Sequence, residues 1–167
     1  MNYSISIRAV EPEDALSMFE AESDPSAWKY SDYLAPLSME MLRQYALTYD
    51  ADPFRACQLR LIIEADGTPA GILDLFDISA RHLRADTGIY MFPQFRGKGF
   101  ATEAIRELMR YCRDRLGLHQ LVATISERNE DALRCYIKAG FSQSGTRPDW
   151  IRTADGYETV VNLFTIL

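Results

Sequence analysis

The chain has 167 residues, 47% hydrophobic and 25% charged, with a net charge of −6 at neutral pH. Such a composition predicts one globular domain, long enough to bury a core without disulfide or metal staples. The acid excess excludes general nucleic-acid binding, which needs a basic face, and no apolar run approaches the ~20 residues of a membrane-spanning helix.

An acidic surface also concentrates cationic ligands. The first eight residues, from Met1 to Arg8, lack the basic start and long apolar stretch of a secretion signal, so a soluble cytoplasmic protein is expected. Cys57, Cys112 and Cys135 are odd in number and fit no zinc or redox spacing. His82 and His119 are too few for a histidine-based metal site, and no metal is expected.

Residues 4–8 alternate polar and apolar around Ile5 and Ile7, which predicts a first strand. Glu11-Pro12-Glu13-Asp14 opens a helix, with proline in its first turn and acids at the positive end of its dipole. Ala15, Leu16 and Phe19 form its apolar stripe, and Asp24-Pro25 ends it. Residues 26–36 are irregular and carry Trp28, Tyr30 and Tyr33. Ser38 is an N-cap for a second helix striped by Met41, Leu42, Tyr45, Ala46 and Tyr49. Residues 59–64 and 70–76 are strand-like around Asp66-Gly67, whose residue types supply the positive φ angles of a tight hairpin. A fourth strand spans 85–92. A long helix follows over 99–116, with Cys112 on its apolar face as a buried thiol and Gly117 as its stop. Residues 120–125 make a fifth strand, 129–139 a short helix stopped by Gly140, and 141–144 and 159–166 two closing strands. No repeat, linker or low-complexity segment interrupts this mixed α/β order.

The segment between the fourth strand and the long helix is Gln94-Phe95-Arg96-Gly97-Lys98-Gly99-Phe100-Ala101. A helix N-terminus exposes unpaired N–H groups and partial positive charge, and glycines let that backbone approach a ligand closely. Such a turn suits a phosphate, and Arg96 and Lys98 add charge to it. It is not a P-loop, because Phe100 rather than Lys-Ser or Lys-Thr follows. It is not a dinucleotide fingerprint either, because Thr102 occupies the third glycine position.

Gln94-x-x-Gly97-x-Gly99-x-Ala101 resembles the acetyl-CoA signature of the GNAT superfamily of N-acetyltransferases. Asn129-Glu130-Asp131-Ala132-Leu133-Arg134-Cys135-Tyr136-Ile137-Lys138-Ala139-Gly140-Phe141 is similar to a second motif of that family, one helix and one strand downstream. Residues 62–67, Asp77-Ile78 and Arg84-Ala85-Asp86 look similar to spermidine N-acetyltransferases and to ribosomal-protein N-terminal acetyltransferases. The resemblance implies an α/β fold with a mixed, mostly antiparallel sheet of about seven strands and about four helices. It implies direct acetyl transfer from acetyl-CoA to a primary amine, a polyamine or a protein N-terminus, in a ternary complex. A homodimer is the family expectation.

Carried onto this chain, the resemblance implies that the backbone of Arg96, Gly97, Lys98, Gly99, Phe100 and Ala101, joined by Thr102, holds the pyrophosphate. Met91 and Phe92 pair with the pantetheine arm and offer an N–H to the thioester carbonyl. Asn129 binds the cofactor arm, and Tyr136 is the general acid. For the base, Asp86 shares a strand face with Tyr90, with Asp74 and Asp77 as rivals. Trp28, Tyr30, Tyr33 and Trp150 are the candidate walls of the amine pocket, set between residues 26–36, the Met41 helix and a connection over 150–157. The alternative is a non-catalytic acyl-CoA sensor that keeps the same cleft.

Overall fold

A computed structural model describes residues 3–28, 30 and 34–167. The strands are β1 Ile5–Ala9, β2 Gln58–Ala65, β3 Thr68–Ser79, β4 Arg84–Met91, β5 Gln120–Ser126, β6 Ser142–Thr153 and β7 Gly156–Ile166. They form one sheet in the order β1-β2-β3-β4-β5-β7-β6. All neighbours are antiparallel except β4 and β5. The helices are α1 Ala15–Glu22, α2 Pro25–Trp28, α3 Met39–Thr48, α4 Pro53–Ala56, α5 Phe100–Asp114 and α6 Glu130–Ala139. Two of them, α2 and α4, are four-residue turns that the irregular composition of their segments concealed.

Local chemistry accounts for the boundaries. Ser38 accepts from the Met41 N–H and starts α3. Asp66 and Gly67 both have positive φ, the requirement of the tight turn joining β2 to β3. Helices α5 and α6 lie over one face of the sheet, burying Leu73, Leu75, Ile105, Leu108, Leu121 and Leu163. Cys112 lies in that core, and burial pushes its thiol up to about 12. Helices α1 and α3 cover the opposite face of the β2–β3 region, with Met18, Leu42, Ile62 and Ile72 in the contact.

The closing strands are much longer than residues 141–144 and 159–166. β6 and β7 form one extended hairpin that turns after Thr153 and contains the stretch 150–157. Register shifts after Gln143 and Arg147 let β6 continue past Gly145, Pro148 and Asp149, residue types that otherwise mark a turn.

Candidate active site

The sheet opens between β4 and β5. Their pairing covers only Arg84–Asp86 against Gln120–Val122, whereas β5 stays paired with β7 up to Ser126. Beyond Asp86, β4 and β5 part. Antiparallel pairing with β3 decides which β4 groups face that gap, because alternate residues of an antiparallel strand send both N–H and C=O to one neighbour. The Phe92 N–H donates to the Ala70 carbonyl at 2.9 Å, so the even-numbered residues Gly88, Tyr90 and Phe92 face β3. The odd-numbered residues Thr87, Ile89 and Met91 therefore face the gap. The expected offer of a Phe92 N–H to a ligand therefore fails, because β3 takes it, whereas the backbone of Met91 faces the gap together with that of Thr87 and Ile89. The strand pattern of the sequence could not supply this, because the alternation depends on the register with β3.

A cleft of about 1460 Å³ runs along the gap and continues under α1 and α3. That volume exceeds the ~300–1,000 Å³ of an ordinary small-ligand pocket and has room for two substrates. At one end lies the glycine turn. Gly97 and Gly99 have φ of +74° and +81°, which L side chains adopt at a cost. Gly99 is the N-cap of α5 and supplies no side-chain oxygen, so the first-turn N–H groups point at the cleft without a side-chain cap. Arg96, Gly97, Gly99, Phe100, Ala101 and Thr102 all line it. Lys98 is not a lining residue; its ammonium lies over the Phe95 and Phe100 rings at 5.5 and 6.0 Å. Asn129 lines the facing wall, with its amide oxygen capping α6 at the Ala132 N–H and its amide nitrogen left as the donor for a ligand.

Arg96 has a second set of partners. Its Nε donates to the Met91 carbonyl at 2.9 Å, and its guanidinium lies over the Tyr90 ring and 3.3 Å from Asp24. The Tyr90 hydroxyl donates to the same Asp24 carboxylate at 2.6 Å. The Tyr90 hydrogen bond, then those from Ser26 and Arg96, hold the Asp24 carboxyl well below its usual range. Burial and the Asp24 contact push Tyr90 up to about 12. The glycine turn is thus tied to the segment after α1, a link across 72 residues that no local pattern could reveal.

At the other end, Tyr136 is buried in α6 with its ring edge-on to Phe141. It does not line the cleft, although its neighbour Cys135 does. Its hydroxyl donates to the Thr87 carbonyl at 3.4 Å, the first β4 carbonyl beyond the last β5 pair. Burial raises its pKa well above the ordinary tyrosine value, so it stays protonated at neutral pH.

Among the acids, Asp74 and Glu22 line the cleft but share Arg60, which binds Asp74 through two nitrogens at 2.7 and 2.8 Å and Glu22 at 2.7 Å. Burial alone would lower the pKa of Arg60; the two carboxylates outweigh it and raise it. Asp77 lines the cleft as well. Asp86 lies two residues before Gly88, on the same β4 face and outside the lining residues. Burial and then the Asp77 charge raise its pKa, against the opposing pull of Arg84 and Arg147.

Tyr30 lines the cleft. Trp28 is 39% exposed and not a lining residue, and Tyr33 falls outside the described residues. Trp150 is carried away on the β6–β7 hairpin, 56% exposed and stacked by Arg147 at 4.4 Å.

The acetyltransferase (GNAT) domain model matches residues 4–142. This chain belongs to the GNAT acetyltransferase family. By that membership it is an acetyl-CoA-dependent N-acetyltransferase. Among curated relatives, the spermidine N(1)-acetyltransferase of Escherichia coli (strain K12) is 31% identical over 146 residues, covering 86% of this chain and 75% of the relative. A putative ribosomal N-acetyltransferase of Bacillus subtilis (strain 168) is 27% identical over 164 residues, covering 89% and 84%. The solved spermidine N-acetyltransferase from Vibrio cholerae, in complex with CoA and spermine, superposes with a TM-score of 0.83 at 22% identity, covering 97% of this chain and 95% of that one. That likeness shows the fold. No helix among the described residues is long and apolar enough to cross a membrane.

Proposed function

We propose that this enzyme moves the acetyl group of acetyl-CoA directly to a primary amine of a polyamine, with both substrates held in the one cleft. The observation that carries the reading is the run from the uncapped N-terminus of α5, along the unpaired edge of β4, to the Tyr136 hydroxyl. The first-turn N–H groups and Arg96 would hold the pyrophosphate. The Met91 N–H and the outward-facing groups of Ile89 would pair with the pantetheine arm as a neighbouring strand would, and the Asn129 amide would donate to it. The thioester then ends beside Thr87. A backbone N–H aimed there polarises the carbonyl as its oxygen gains charge.

Two proton movements belong to the chemistry. An alkyl ammonium has a pKa near ~10.4 and no lone pair, so it must shed a proton before attack. Asp86 is the base in this reading, reached through water, because burial raises its pKa toward the range a base needs. Asp74 is the weaker choice, since both of its carboxylate oxygens are already held by Arg60. Tyr136, protonated in its buried site, gives its proton to the departing sulfur.

The acceptor assignment is supported by the spermidine-acetylating relative and by the cleft wall, where Glu22 and Asp74 together outweigh the one charge of Arg60 and Asp77 lines the same cleft as Tyr30, Tyr45 and Tyr90. Carboxylates and aromatic faces together suit a chain of ammonium groups. Self-association belongs to the same reading, supported by exposed Trp150, Tyr157 and Ile166 on the outermost hairpin; light scattering after size exclusion tests it.

Two measurements test the mechanism. Tyr136→Phe keeps CoA affinity by calorimetry and lowers turnover at least about tenfold; unchanged turnover removes Tyr136 from the acid role. Intact-mass analysis after incubation with acetyl-CoA alone finds no acetylated enzyme. An acetyl adduct on Cys135, which lines the cleft, would replace direct transfer with a covalent route.

A further inference from the structure

Thr87 carries a hydroxyl that lies beside the Tyr136 phenol, where it works to lower the phenol's pKa against the larger effect of burial, yet it makes no well-formed hydrogen bond. Among the described residues, its Oγ1 is the one buried side-chain polar atom without a hydrogen-bond partner, and the residue is 3% exposed. An unpaired hydroxyl in a core is a net cost that valine, with the same branched shape, would avoid. Strand propensity does not explain it either, since valine suits a buried strand at least as well. The position is informative. Thr87 is the first residue of β4 beyond the last pair with β5, and its own carbonyl accepts the Tyr136 hydroxyl. Its side chain points to the same face of the sheet as Ala85 and Met91, the face covered by α5 and α6.

We propose that Thr87 is a positioning residue for Tyr136, its hydroxyl donating to the Tyr136 oxygen once that oxygen has given up its proton. The proposal rests on the reading of Tyr136 as the general acid. In the reaction the amine nitrogen forms a bond to the thioester carbon, and the carbon–sulfur bond breaks with its electron pair going to sulfur. The Tyr136 proton forms the new S–H bond and leaves a phenolate. The surplus proton of the nitrogen, passed to water, restores the phenol, so amine and acetyl-CoA become amide and free thiol.

The phenolate is the costly species. It arises in a core where burial already disfavours charge, and the Thr87 carbonyl, which accepts from the phenol at 3.4 Å, repels it. A donor is needed at the same point. Thr87 supplies both, a carbonyl for the protonated state and a hydroxyl for the ionised one. The unpaired hydroxyl of the resting enzyme is then kept for the acid's ionised state, a stability cost retained for activity.

The test compares Thr87→Val, Thr87→Ser, Tyr136→Phe and the double variant Thr87→Val/Tyr136→Phe. Thr87→Val is expected to melt at a higher temperature than wild type and to bind CoA within about twofold of it by calorimetry. Its kcat falls about 10- to 100-fold with KM little changed, the effect of losing one hydrogen bond to a charged oxygen. Thr87→Ser recovers most of that kcat. The alkaline limb of the kcat–pH profile moves to higher pH in Thr87→Val, because the phenolate has lost its donor. The double variant is no slower than Tyr136→Phe. Wild-type kcat in Thr87→Val, additive losses in the double variant, or a kcat loss that serine does not rescue would each overturn the proposal. Full turnover in Tyr136→Phe would instead remove the acid reading itself, whatever Thr87 does. Should Thr87→Val unfold, the Thr87→Ser profile decides: a serine variant with kcat reduced as far as Tyr136→Phe overturns the hydroxyl's role.

Discussion

Replacing Gly99 by alanine separates backbone strain from ligand exclusion. A Cβ built at Gly99 meets no atom within 4 Å, so the protein itself has room for the methyl group. What it does not accommodate is the φ of +81°, which costs an L residue about 1–2 kcal/mol. For a chain of this size that is a fall in Tm of about 2–8 °C, which leaves the enzyme folded at assay temperature. The loss of CoA affinity should be far larger. The open space around the missing Cβ is where a pyrophosphate would lie against the first turn of α5. Displacing it from two of those N–H groups removes about 3–6 kcal/mol of charge-assisted hydrogen bonding, or roughly 100-fold or more in Kd. Thermal shift and titration calorimetry with CoA, run on the same preparation, read the two effects separately. A variant with the expected Tm loss and a Kd within threefold of wild type would show that the pyrophosphate is not held at this turn.

Two further substitutions probe the surroundings. Asp24→Asn frees Arg96 from its ion pair, so CoA affinity should rise by roughly 1.5- to 5-fold, as the loss of a partly exposed competing pair allows. The Tyr90 titration should also drop from about 12 toward its ordinary value; weaker CoA binding would mean that Arg96 is not shared between the two sites. Asp86→Asn should raise Tm near neutral pH and leave it unchanged at acid pH. The folded-state pKa of Asp86 lies above its unfolded value, so its contribution to stability is present at low pH and lost as pH rises through the folded value. The same variant should lose about 10²-fold or more in kcat/KM along with its acid limb, and a wild-type pH profile would exclude Asp86 as base.

The conformation of the glycine turn and the cap of α6 were legible in the sequence because their determinants are local. Gly97 and Gly99 occupy positive φ in a strand-to-helix turn, and Asn129 caps the helix that carries Tyr136. The backbone orientations of Thr87, Ile89 and Phe92 were not legible. They depend on which β4 groups β3 consumes, and that register is a property of the assembled sheet. Trp150 illustrates the opposite error. Pro148 and Asp149 mark a loop by residue type, yet β7 pairs across them through a register shift and carries the tryptophan away from the cleft. The Asp24–Arg96 link and the Arg60 clamp on Glu22 and Asp74 join distant segments, and they change how those charges must be read.

The most direct test is release of free thiol from acetyl-CoA by the wild-type enzyme against a panel of amines that includes spermidine, spermine, single amino acids and peptides with ribosomal-protein N-termini. Saturable release with the polyamines and background release with the peptides is the expected result. Release with peptides alone, or with no amine in the panel, would contradict the assignment of a polyamine acceptor.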